Sequence, residues 1–476
     1  MSRRPRFRLM TLCSLLVCTG IAATAQNNRS DSRSRKLEQQ FEAAVAQYNA
    51  GHLPEAAAQL EAMLPVVPNS FEVHELLGQV YASESQNAKA VAQFQAAVRL
   101  KPDSAAARTN LAASLLRAGN SALAGEQFRR ARELEPSNYD ANHNLGEFYI
   151  QSGKLAEALP FLEQAQHLRP TAYDNGYDLA QARFLTGHLA DARQLVQSLI
   201  QQNNAAELHA LLGQIDEKDG KFLDAANELE TAAHMDPSED NLFNWAGELL
   251  LHRTYEPAIQ IFQEAVRRYP KSPRLWIGLG VAVYWRGRYD EAVKALVTAA
   301  DLNPSDSRCY FFLSKVYDNS PTQAGDVLRV FRRYAELQPH NALAQYDYAM
   351  SLWREKRAGG MNPDLVEVQS LLERSAALDP ASSDARLQLG NLYFDQHEYD
   401  KSIPEYESAL KLNQNLPDAH YRLGQAWART GQKDRAQSEF QLYKTLRAQH
   451  LAETDKEAAD IQEFVYSAKD APTAHP

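Results

Sequence analysis

The stretch Tyr139–Ala172, YDANHNLGEFYIQSGKLAEALPFLEQAQHLRPTA, decides the fold. A small residue, Gly146, follows Leu145; a glycine stands at Gly153; an alanine, Ala158, lies twelve places after Gly146; and Pro170 closes the segment. Physically this describes two packed helices and a stop. The small residue lets the first helix approach its partner, the alanine does the same from the second helix, and proline cannot continue that helix. The glycine between them suits a left-handed cap on the first helix.

The pattern repeats along the chain. Pro273–Asp306, PRLWIGLGVAVYWRGRYDEAVKALVTAADLNPSD, has the same layout. The small residue recurs as Ala44, Gly78, Ala112, Gly146, Ala180, Gly213, Gly247, Gly280, Ser314, Ala349, Gly390 and Gly424, at intervals of 33 to 35 residues except for one of 41. The alanine follows as Ala56, Ala90, Ala124, Ala158, Ala192, Ala225, Ala258 and Ala292, then as Ser402 and Ala436. Prolines mark the ends from Pro68 to Pro380.

These residues resemble the tetratricopeptide repeat, read in about twelve consecutive copies from Leu37 to His450. The resemblance implies an all-α chain wound as a right-handed superhelical solenoid of helix-turn-helix repeats. One repeat alone cannot bury its apolar face, so the core is the stack. The domain plan is a signal peptide over 1–25, a flexible polar segment over 26–36, the array over 37–449 and a capping helix with a disordered tail over 450–476. The tenth repeat carries about seven extra residues, an insertion at 357–364 between its helices, and the ninth lacks the alanine.

Residues 1–25 read as an export signal: four arginines, an apolar stretch from Leu9 to Ala23 and the small-residue cleavage pattern Ala23-Thr24-Ala25. The stretch is about 15 residues, short of the ~20 a membrane-spanning helix needs, so no integral span is expected after cleavage. The expected location is periplasmic or extracellular, with lipid attachment at Cys18 as the alternative. Removing the four signal arginines from 50 basic residues leaves 46 against 60 acidic ones, a formal charge of −14. Such a surface repels phosphate backbones, which disfavours nucleic-acid partners. Cys309 is the one cysteine beyond the signal, so no intramolecular disulfide is expected.

Local catalytic motifs are missing. The closest histidines in sequence, His234 and His252, are eighteen residues apart, which excludes H-E-x-x-H, and a single cysteine excludes a local zinc cluster. Gly278-Leu279-Gly280 lacks the third glycine of a dinucleotide fingerprint and falls inside a repeat helix. No catalytic residue, metal ligand or cofactor is therefore assigned.

By the same resemblance, the first helix of each repeat lines the concave face. In the N-terminal half that face carries Glu72, Glu75, Asp140, Glu147, Asp174, Glu207, Glu217 and Glu248. From the eighth repeat onward it carries Tyr284, Trp285, Phe311, Tyr346, Trp353 and Phe394 beside Arg274 and Arg354. Aromatic and arginine anchors suit protein recognition, although any one ring also suits packing against the next repeat. Asn110 and Asn144, with Asp178 a repeat later, resemble the asparagine ladder by which O-GlcNAc transferase grips extended peptide backbone; that asparagine is also a common consensus residue of the repeat. The expected function is a non-catalytic scaffold holding a partner protein or peptide. A carbohydrate-binding scaffold and an accessory subunit of an envelope enzyme are the alternatives.

Overall fold

The computed structural model describes residues 28–317, 320, 323–358 and 365–449, with backbone alone for 28–33 and 358. Among them there are helices and no strands, and no helix is long and apolar enough to cross a membrane. The chain divides into two compact bodies, Met1–Asn241 and Leu242–Pro476. Each is a stack of helical hairpins. The fourth repeat is Tyr139–Gln151 with Leu155–Leu168, and the eighth is Pro273–Trp285 with Tyr289–Leu302.

Short-range chemistry sets the helix ends. Ser70, Ser104, Asn138, Ser272, Asp306 and Ser382 precede first helices, and each side chain accepts a hydrogen bond from a backbone N–H of the opening turn. At the other end Gly153 takes φ 71, the left-handed conformation that ends the helix without steric cost. Ser85, Arg253 and His397 adopt the same conformation without glycine.

The hairpin closes on the small residue of the first helix. A Cβ added to Gly146 would lie 2.5 Å from Leu162 Cδ2, and one added to Gly390 would lie 2.5 Å from Tyr406 Cε1. In each case the side chain touched lies sixteen places on, and Phe94, Leu162, Leu296 and Tyr406 in that role are fully buried. Ala90, Ala124, Ala158, Ala192 and Ala225 are likewise buried completely. A further buried small residue, unread in the sequence, follows seven places later as Ala97, Ala131, Ala165 and Ala232.

Three sequence expectations change, while the ninth repeat lacks its alanine as expected. Gly247 has open space around its Cβ position, whereas Ala246 is fully buried. The seventh repeat begins at Glu239, so its close-approach residue is Ala246 and the partner sixteen places on is Phe262. Residues 28–36, expected to be flexible, belong to the helix Asn28–Asn49, because good helix formers downstream supply a nucleus that propagates backwards. In the ninth repeat Val327, Phe331 and Tyr334 replace the alanine pattern, and Tyr334 stacks on Tyr310 at 3.9 Å. In the tenth the first helix runs Ala342–Ala358, 17 residues against 13 in most repeats, and the second resumes at Val366 with Val368 and Leu372 buried. The signal peptide, Cys18, 359–364 and 450–476 lie outside the described residues. The last described helix covers 433–449.

Most histidines in the described helices are structural. In several repeats the fourth residue of the first helix reaches back to the proline loop, and in some also across to the second helix. His74 bonds the Pro68 carbonyl at 3.0 Å and Gln93 at 2.7 Å; Arg108 donates to the Pro102 carbonyl at 2.8 Å and to Gln127 at 2.7 Å. Asn142, Trp276 and Tyr310 reach the corresponding carbonyls, and His420 pairs with Gln414 and Glu439. This clasp satisfies loop carbonyls that the helices leave orphaned. Cys309 is buried beside it, and burial pushes its thiol up to about 12, so it is unreactive.

Asp347 is the least comfortable buried group. It is 2% exposed, one carboxylate oxygen has no partner, and burial pushes its pKa up to about 8 against the opposing pull of Lys315. Folding therefore favours the protonated acid, and stability falls as pH rises from the ordinary 3.8 towards 8.

Two stability measurements test these assignments. Gly146→Leu lowers stability by ~1–3 kcal/mol through overpacking, while Gly247→Ala raises it by ~0.5–1 kcal/mol, as expected for glycine replaced in an open helix position. Denaturant titration of the two variants checks the register, and a destabilised Gly247→Ala would contradict it. Asp347→Asn raises the melting midpoint more at pH 8 than at pH 5; equal shifts at both pH values would contradict the protonation assignment.

Candidate binding site

The predicted site residues fall in both bodies. In the N-terminal body the structure withdraws the two asparagines from solvent. Asn110 is 0% exposed and donates to Glu75, and Asn144 is 1% exposed with neither amide atom partnered. Both sit two places before the small residue of the first helix, where the neighbouring repeat covers them. The peptide-gripping ladder is thus not presented on the surface.

The acidic character of this body is partly compensated. Glu72 pairs with Lys101 at 2.9 Å, Asp140 with Arg169 at 3.8 Å, and Glu207 accepts from the Tyr173 hydroxyl at 2.9 Å. Glu75 is buried, and burial pushes its carboxyl up against the lowering effect of Asn110 and Gln79.

In the C-terminal body the eight predicted residues separate into two surroundings. Trp285 is 58% exposed and stacks on Tyr255 with ring planes 10° apart; Tyr284, half-buried, packs against Trp285 and Tyr289. Phe311 is 48% exposed, with the Lys315 ammonium 5.6 Å from its ring centre. Arg274 lies over Phe243 at 5.1 Å. Trp285, the last residue of its helix, and Phe311, midway along Ser307–Val316, give this body its exposed aromatic face, while Tyr284 and Arg274 are half-buried.

Trp353 differs from expectation. It is buried, because the lengthened helix Ala342–Ala358 carries Arg357 over its ring at 4.5 Å. Tyr346 is half-buried on the same helix. Trp353 and Arg354 line a cleft of about 420 Å³ with Tyr317, Met350, Arg357, Gln388, Asn391 and Arg422. Arg354 donates to the Tyr317 carbonyl at 2.5 Å and stacks over that ring. Phe394 is half-buried against Tyr399, with the Arg422 guanidinium 5.6 Å from its ring centre.

Sequence reading missed Arg357, Gln388 and Arg422. Gln388 and Arg422 stand two places before Gly390 and Gly424, the register of Asn110 and Asn144. Following that register through every repeat finds them. Arg357 lies in the insertion, where no repeat register applies.

Comparison with known proteins agrees with the repeat geometry. Family models described as tetratricopeptide or TPR repeat match residues 41–105, 109–173, 150–215, 249–315 and 390–431. Subunit 3 of the anaphase-promoting complex of Schizosaccharomyces pombe is 22% identical over 238 residues, 49% of this chain and 30% of that protein. The TPR repeat-containing protein YpiA of Bacillus subtilis is 25% identical over 188 residues, 39% of this chain and 42% of the relative. The peroxisomal targeting signal receptor of Komagataella phaffii is 27% identical over 188 residues, 37% of this chain and 30% of the receptor. The chain thus spans less than half the length of these relatives. With family models matched over more than half of its residues, it belongs to the tetratricopeptide-repeat family.

Proposed function

We propose that this chain is an exported, non-catalytic scaffold that holds a partner protein or peptide on the open face of its first helices, serving assembly of an envelope or secreted complex. The observation that carries the binding role is the exposed aromatic face of the C-terminal body. Trp285 and Phe311 present large apolar area to solvent at 58% and 48% exposure. Rigid rings bury much area on binding at modest entropic cost, which is the profile of interface hot spots. A preformed helical stack limits the ordering cost further.

The relatives point the same way by their names, which describe a subunit of a complex and a receptor for a targeting signal. Support for export comes from the arginine-led apolar segment and its Ala23-Thr24-Ala25 pattern. The partner, under this reading, is a protein of the same compartment.

Affinity capture from envelope extract tests the reading. The wild-type chain retains a defined partner, and the double variant Trp285→Ala, Phe311→Ala loses at least about 90% of it, as expected when two hot-spot rings of about 2 kcal/mol each are removed. Circular dichroism of the variant stays unchanged. Full retention by the variant removes the aromatic face from the interface, and recovery of the chain solely in the cytoplasmic fraction removes the export reading.

A further inference from the structure

We infer that the cleft framed by Trp353, Gln388 and Arg422 is an anion-accepting subsite that takes carboxylate side chains from an acidic segment of a partner protein. The inference rests on the scaffold reading and names the chemistry of one stretch of the same surface.

Its basis is an inventory of hydrogen-bonding groups. The Gln388 carbonyl accepts from Asn391 Nδ2 at 3.0 Å, and the Asn391 carbonyl accepts from the Tyr406 hydroxyl at 2.9 Å, so both amide acceptors are used internally. What remains is donors: the Gln388 amide N–H2, the Arg422 guanidinium and the Trp353 indole N–H. The indole nitrogen is buried and has no acceptor among the described residues. Arg422 lies over the Phe394 ring and forms no ion pair among the described residues. A buried donor without a partner is left with an uncompensated loss of hydration, which an acceptor brought against it relieves.

Charge adds to this. Arg357 is paired with Asp395, yet its guanidinium is pushed below its ordinary range by burial and by the charge of Arg422. Arg357 and Arg422, two of the three arginines that line the cleft, therefore share a partly desolvated space with one described carboxylate between them, Asp395, within a chain whose formal charge is −10. A second carboxylate restores the balance, and planar guanidinium groups favour it through paired hydrogen bonds.

The size and placement favour a peptide over a free ion. At about 420 Å³ the cleft lies within the ~300–1,000 Å³ range of ligand sites, and it is lined from four successive repeats, the ninth to the twelfth. Tyr317 and Met350 add apolar surface to a lining that otherwise carries Arg354, Arg357 and Arg422. An acidic segment with apolar residues between its carboxylates matches a lining of both kinds.

The test is fluorescence anisotropy of labelled twelve-residue peptides with the full chain. A peptide alternating glutamate and leucine binds, and its glutamine and lysine counterparts bind at least tenfold more weakly. Arg422→Gln weakens the glutamate peptide about tenfold and Arg422→Glu abolishes binding, while Arg422→Lys keeps part of it and circular dichroism stays constant in all three. Equal affinity for glutamate and glutamine peptides overturns the inference, as does unchanged binding by Arg422→Glu. If inorganic phosphate competes at a concentration equal to the peptide's own dissociation constant, the cleft is a simple ion site and the peptide assignment falls. The assay uses neither Trp285 nor envelope extract. A negative result here therefore leaves the scaffold reading standing, and a failed capture experiment leaves this one standing.

Discussion

Everything in this molecule depends on how closely two helices of one hairpin approach. At Gly146 the partner Leu162 already occupies the space of a missing Cβ, and the same is true of Gly78 under Phe94 and Gly280 under Leu296. Dispersion attraction is short-ranged, so a separation smaller by the width of one methyl group converts loose contact into a packed interior. Once the hairpins are tight, their outer surfaces become regular enough to stack, and in several repeats the clasp from the fourth residue to the proline loop fixes the joint. No single hairpin needs a core of its own.

This dependence explains what the sequence makes legible. Residues whose size is dictated by a neighbour sixteen places on must recur at fixed spacing, so the helices, the loops and their order can be read directly. The misplacement at Gly247 shows the limit of that reading. Ala246 and Gly247 are both small, and only the path of the backbone reveals which of them faces Phe262. The lengthened helix before Ala358 escaped for a related reason: it breaks the period, and a period-based reading carries no information where the period is broken.

The surface was less legible than the core. Trp285 and Trp353 hold neighbouring places in their repeats and look alike as sequence, yet one is exposed and the other lies beneath Arg357. Exposure of a large ring is decided by long side chains from other turns and other repeats, whose reach follows no short-range rule. Asn144 makes the same point from the polar side, since an amide suited to gripping a peptide is enclosed by its neighbours instead.

The extended first helix of the tenth repeat has a consequence for how a long ligand finds its place. Four residues beyond the usual 13 add about 6 Å of helix at 1.5 Å per residue. A surface built from near-identical repeats offers an extended chain many equivalent alignments, each displaced by one repeat, and such degeneracy spreads a bound population over several of them. One helix that overshoots its neighbours by a full turn removes the equivalence. Under the scaffold reading it would supply a fixed origin from which position along the surface is counted, and so hold a ligand at one address.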